Sequence, residues 1–279
     1  MFKKAKISAL LTLVLALLLI VAGCGTAASG ITGSQASSVE KQSPEADEKV
    51  ELIISAAASM TDALKEIQLA YETQNPTIKL NLNFGASGAL QQQIEQGAPA
   101  DLFLSAATKN MKALVDKQLI DVDQQKNVLS NEVVAVVSTD GQVSVTGLDD
   151  LPKSDVKNIA IGIPESVPAG GYAKEALTSA KLWDSLQSKM VQAKDVRQVL
   201  QYVETGNADV GFVYKTDALT SNKVKVAFAV DSTTYTPVEY PIGIVKATKH
   251  SKEAEDFYAY LQTQDALDVF VKYGFSVIH

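Results

Sequence analysis

Residues 49–74 read KVELIISAAASMTDALKEIQLAYETQ. The first seven have the apolar density of a buried strand, and Leu64, Ile67 and Tyr71 then fall at helical spacing. Between them runs Ser55-Ala-Ala-Ala-Ser59, small residues ending in a serine where the helix begins. The unit returns at 78–94, IKLNLNFGASGALQQQI: an alternating strand, small residues, Ser87, and a short helix carrying Leu90 and Ile94 that stops at Gly97. Strand then helix, repeated, predicts an α/β fold with largely parallel sheets.

The alternation continues outward. Leu102–Leu104 reads as a strand, with Met111, Leu114 and Val115 on the helix after it. Val133–Val137 and Ile159–Ile163 are apolar strands, the second followed by a helix over Tyr172–Ala180. Asp195–Glu204 sets Val196, Leu200 and Val203 on one helix face and ends before Gly206. Val210–Tyr214 and Val224–Phe228 are strands; Glu239–Val245 is another, in which Pro241 suggests a sheet edge or a crossover. Phe257, Tyr260, Leu261, Leu267 and Phe270 belong to C-terminal helical turns. The length suits two lobes of roughly 100 residues or more each. In such sheets ligands bind beyond the strand C-termini, so the strand-to-helix junctions are where function is sought.

Composition narrows the chemistry. The chain has 279 residues, 25 Lys+Arg against 32 Asp+Glu, and a net charge of −7. An acidic chain without a basic block is a poor nucleic-acid partner. The single cysteine, Cys24, excludes an intrachain disulfide and a thiolate metal cluster. Of two histidines, His250 lies in a Lys-rich loop and His279 ends the chain. There is no G-x-S-x-G, P-loop or G-x-G-x-x-G, so no catalytic residue and no cofactor is expected. Arg197, the sole arginine, sits in the first turn of a helix, where a surface or interlobe ion pair fits better than a ligand clamp.

Lys3, Lys4 and Lys6 precede an unbroken apolar run, Leu13–Ala22, shorter than the roughly 20 residues that span a bilayer. Residues 1–23 therefore read as a signal peptide. Val21-Ala22-Gly23-Cys24 resembles a bacterial lipobox, which makes Cys24 the lipidated first residue of the mature chain and places the protein on the extracytoplasmic face of the cell membrane. Residues 24–48 then form a lipid-anchored linker. Beyond Cys24 it holds one large aliphatic, Ile31, and no aromatic, and as a flexible coil it reaches roughly 27 Å.

Four junctions share one chemistry: Ala58-Ser59, Ala86-Ser87, Val167-Pro168-Ala169-Gly-Gly171 and Asp195-Val196. A helix N-terminus exposes unpaired N–H groups and about half a positive charge. Several aimed at one point form an anion site without a cationic side chain, and a serine hydroxyl adds a donor. Each serine is equally an ordinary N-cap, with Ser59 and Asp62 spaced like a capping box, and Tyr214 at a strand end is equally a core aromatic.

The segments AAASMTDALKEI, NFGASGALQQQIEQGAPADLFLSA, GIPESVPAGGYAKEAL, AKDVRQVLQYVETGNADVGFVY and VEYPIGIVKAT together resemble the molybdate-binding proteins of bacterial ABC transporters, from about Lys49 to Phe275. The resemblance implies a two-lobed periplasmic-binding-protein fold of type II with two crossover strands. Residues 49–131 and 240–279 would form the first lobe and 132–239 the second. Molybdate, and tungstate with it, would lie in the cleft. Ser59, Ser87, Ala169, Val196 and Tyr214 would contact its oxygens rather than the metal. The partners implied are an ABC permease and the membrane, and a monomer suffices. The alternatives are a binding protein for another tetrahedral oxyanion such as sulfate, or an enzyme on the same fold.

A cleft of donors without a carboxylate suits a fully deprotonated dianion and disfavours phosphate, whose remaining O–H would be left unpaired. No histidine falls in these segments, so affinity should be flat between about pH 6 and 9.

Overall fold

The computed structural model describes residues 49–278. The signal peptide 1–23, Cys24 and the linker 24–48, with the terminal His279, lie outside the described residues.

The chain lays down β1 (Val50–Ala57), α1 (Thr61–Gln74), β2 (Ile78–Gly85), α2 (Ser87–Glu95), β3 (Leu102–Leu104), α3 (Thr108–Asp116) and β4 (Ile120–Asn131). It then builds β5 (Val133–Ser138), β6 (Ile159–Gly162), α4 (Pro168–Ser179), α5 (Trp183–Leu186), β7 (Met190–Ala193), α6 (Val196–Glu204), β8 (Val210–Tyr214), α7 (Lys215–Leu219) and β9 (Val224–Ala229). It returns through β10 (Val238–Val245), α8 (Ser251–Tyr260), α9 (Gln264–Lys272) and β11 (Ser276–Val277). Two sheets result, in the orders β11-β4-β10-β3-β1-β2 and β7-β6-β8-β5-β9. The chain passes to the second sheet between Asn131 and Val133 and returns between Ala229 and Val238.

The sheets are mixed rather than largely parallel. β1 pairs in parallel with β2 and β3, and β6 with β7 and β8. β10, β4 and β5 run against their neighbours, because these strands carry the chain between the sheets instead of belonging to β-α-β turns. Pro241 marks the crossover and not an edge: β10 lies between β3 and β4. The missing N–H is accommodated by a register shift between Tyr240 and Pro241.

Helical periodicity places the core. α1 buries Ala63, Leu64, Ile67 and Tyr71, and the Tyr71 ring packs 4.8 Å from Phe257 and 4.9 Å from Tyr260. α6 buries Val196, Val199, Leu200 and Val203. α4 begins at Pro168, four residues earlier than the sequence suggests. Proline fits the first helical position, and the Gly170-Gly171 pair, which reads as a turn, lies inside the first turn of the helix. There α4 presses on β6: a Cβ on Gly170 would lie 1.9 Å from the Gly162 carbonyl oxygen.

This contact generates a prediction. Gly170→Ala should cost about 1–3 kcal/mol through overpacking, read as a lower urea midpoint. Gly147→Ala, at a position with no atom within 4 Å of the added carbon, should change stability far less.

Candidate functional site

The strand-to-helix turns meet. The turn after β1, the starts of α2, α4 and α6, and the end of β8 surround a small, partly open cavity lined by Ser59, Ser87, Ala169, Val196 and Tyr214 together with alanines, Gly85, Val167 and Pro168. The free room inside is about that of a single water. All five residues singled out in the sequence come together here, each between 0% and 4% exposed. No ionisable side chain other than the Tyr214 phenol lines the cavity.

Neither serine is a cap. The residues at the cap positions are Ala57 before the single 3₁₀ turn Ala58–Met60, Ala86 before α2 and Val167 before α4, and none makes a side-chain cap. Of the four junctions only that of α6 has one, the Asp195 carboxylate accepting the Gln198 N–H at 2.9 Å. The first-turn N–H groups at the other three junctions are left without side-chain acceptors where they surround the cavity. Ser59 sits inside the 3₁₀ turn with its Oγ 3.0 Å from the Tyr240 hydroxyl. Ser87 is the first residue of α2, and its Oγ accepts the Ala106 N–H at 2.9 Å. Asp62, the other half of the supposed capping box, pairs with Arg197 instead.

Tyr214 is more than a core aromatic. Its hydroxyl is buried and has no hydrogen-bond partner among the described residues. Burial raises its phenol well above the ordinary tyrosine value, so it stays a neutral donor. A buried orphan hydroxyl costs about 1–3 kcal/mol and persists where something else supplies the acceptor.

Three residues at the site carry no signal in the sequence. Tyr240 is hydrogen-bonded to Ser59, Asn131 donates to the Tyr240 hydroxyl, and Ala106 contributes only its backbone N–H, to Ser87. Their placement depends on strand pairing, which local pattern does not report.

Residues 52–276 match the family model of bacterial extracellular solute-binding proteins. The chain belongs to that family. Its relatives include a Bacillus subtilis strain 168 protein, provisionally named ABC transporter substrate-binding lipoprotein YvgL, 49% identical over 276 residues and 99% of each chain. The Haemophilus influenzae molybdate-binding protein ModA is 39% identical over 227 residues, 79% of this chain and 88% of its own. Among solved structures, the Azotobacter vinelandii periplasmic molybdate-binding protein aligns with a TM-score of 0.75 over 82% of this chain and 100% of its own, at 22% identity, and shares the fold.

In this solute-binding protein the two halves touch around the cavity. Gly88 N–H donates to the Ser166 carbonyl at 2.9 Å, and a Cβ on Gly88 would lie 2.7 Å from that oxygen, so only glycine allows the approach. Arg197 ties the halves from outside the cavity. Its Nη2 is 2.5 Å from Asp62 on α1, its Nη1 donates to Thr220 at 3.0 Å, and its Nε lies 2.9 Å from Asp217 without hydrogen-bond alignment. The interlobe ion pair expected from its position is therefore present.

Asp217 is fully buried. Burial raises its carboxyl to about 6, against the opposing pull of Arg197 and of the Tyr214 N–H, which it accepts at 3.3 Å. It titrates at the lower edge of the pH window expected to be flat, three residues from Tyr214. Because the folded value lies above the unfolded one, the native state holds the proton more tightly. This contribution to stability is full below about pH 4 and is lost as pH rises through about 6. Asp217→Asn should therefore gain on the unmodified protein by up to about 3 kcal/mol between pH 4 and pH 7, read from urea midpoints at each pH. An unchanged difference across that range would mean that Asp217 is ionised throughout.

Proposed function

We propose that the protein captures molybdate in this cavity on the extracytoplasmic side of the membrane and delivers it to an ABC importer. The observation that carries the reading is the buried, partnerless Tyr214 hydroxyl, in a cavity lined also by two serines and by the starts of α2, α4 and α6. These groups can all donate, and no carboxylate stands among them to accept, which matches an ion that offers acceptors only. The relatives named for molybdate support the same ligand. Tungstate, similar in shape and size, should bind as well, while the smaller sulfate should not reach all the donors. Ser59, Ser87, Ala169, Val196 and Tyr214 hold the ion's oxygens, all from one chain, so a monomer is sufficient. The protein binds its ligand and does not transform it.

Cys24 anchors the mature chain through lipid, a reading supported by the lipoprotein name of the Bacillus relative, which aligns over nearly the whole chain. Among the described residues no helix is long and apolar enough to cross a membrane. Cys24→Ala should release the protein from the cell surface or leave it unprocessed, followed by fractionation, with ligand binding intact. A processed variant still held in the membrane fraction would show that the anchor lies elsewhere.

Molybdate and tungstate should raise the melting temperature, adding about 2.7 kcal/mol at one hundred times the dissociation constant, with sulfate and phosphate far behind at equal concentration. A sulfate shift as large as the molybdate shift would defeat the argument from size. Tyr214→Phe should separate binding from folding. Without ligand the variant should be as stable as the unmodified protein or more so, since an orphan hydroxyl has gone, while its molybdate affinity falls by about ten- to a hundredfold.

A further inference from the structure

We propose that Tyr240 and Asn131, neither of which lines the cavity, are positioning residues that fix the direction of the Ser59 hydroxyl so that its hydrogen faces the bound anion. The proposal rests on the oxyanion reading above. Tyr240 is fully buried on β10, and its hydroxyl has two neighbours: Ser59 Oγ at 3.0 Å and Asn131 Nδ2 at 3.3 Å. Distance alone leaves open whether the tyrosine or the serine donates. Asn131 decides it. Its Oδ1 accepts the Glu132 N–H at 2.9 Å, which turns its Nδ2 the other way, to donate to Thr216 Oγ1 at 2.9 Å and to the Tyr240 oxygen.

If Ser59 donated to Tyr240, the tyrosine's own hydrogen would be buried without an acceptor among the described residues. If Tyr240 donates to Ser59, the one hydrogen left over belongs to Ser59, which lines the cavity where the anion can accept it. Ser87 reaches the same condition by another route, since its Oγ already accepts the Ala106 N–H. Each serine thus has an acceptor site filled from behind and a hydrogen to offer forward. An oxygen of the anion that carries a proton meets hydrogens rather than lone pairs at both serines, so the relay contributes to the choice of a fully deprotonated ligand. The relay is also fastened at the crossover: Asn131 ends β4, Tyr240 lies on β10 and Thr216 on α7 of the second lobe.

The test is calorimetric titration of the purified protein with sodium molybdate. In Asn131→Asp the carboxylate can only accept, so the Tyr240 hydrogen turns toward it. Ser59 then either donates back to the tyrosine and shows the anion a lone pair, or faces the tyrosine oxygen lone pair to lone pair, and affinity should fall by about a hundredfold or more. The added negative charge weakens binding by itself, and a second substitution separates the two effects. Tyr240→Phe cuts the relay and frees Ser59 to rotate, so Asn131→Asp with Tyr240→Phe should bind about tenfold tighter than Asn131→Asp alone. A packing or purely electrostatic role predicts no such recovery.

If Asn131→Asp fails to fold, as judged by its melting curve without ligand, the pair Ser59→Ala and Tyr240→Phe carries the test. The double variant should bind like Ser59→Ala, because Tyr240 acts through Ser59. Losses that multiply, or a double Asp–Phe variant no tighter than Asn131→Asp, would overturn the relay. An unmodified protein that gives no molybdate binding would overturn the oxyanion reading itself.

Discussion

An amide N–H in the first turn of a helix has no carbonyl to bond within that helix, and at three turns of this protein no side chain supplies an acceptor either. Everything else at the site follows from leaving those helix starts without side-chain caps and bringing them together. The turns are made mostly of alanine, glycine and serine, so backbone from different strands can converge on one small cavity. Close helix-to-strand contact at Gly170 and interlobe contact at Gly88 serve the same convergence. Donors fixed in position before the ligand arrives need little reorganisation, which is how an ion can be held strongly with no cationic side chain beside it.

Much of this was legible in the sequence because the decisive features are local. Strand, small residues, serine and helix follow one another within a dozen positions, and the helical spacing of Leu64, Ile67 and Tyr71 is the spacing that packs. The five segments that resemble the molybdate-binding family carry Ser59, Ser87, Ala169, Val196 and Tyr214, and the fold brings these to one cavity.

What was not legible depends on partners far away in the chain. β4, IDVDQQKNVLSN, lies inside the first sheet, yet of its twelve residues only Ile120, Val128 and Leu129 are buried, so it presents neither an apolar run nor a clean alternation. β7 and α7 are too short for any periodicity to register. The mixed strand directions come from the crossing strands, whose course is a property of topology. Tyr240 reads as one more aromatic in an apolar strand; its hydroxyl acquires meaning only against Ser59, 181 residues earlier. Sequence also leaves a serine at a helix start undecided between cap and ligand donor. The structure decides by placing Ser59 and Ser87 one or two positions past the cap.

The two ways in which the lobes are held differ in their exposure to solvent. Within the cavity the groups are buried. Arg197 and Asp62, which bridge the lobes outside it, have side chains 26% and 38% exposed. Mobile ions screen the second kind of attraction and hardly reach the first. Ionic strength therefore acts on the bridge between the lobes more than on the contacts inside the cavity. The only arginine in the chain thus makes a contact between the lobes that salt weakens, while the buried contacts at the cavity are spared.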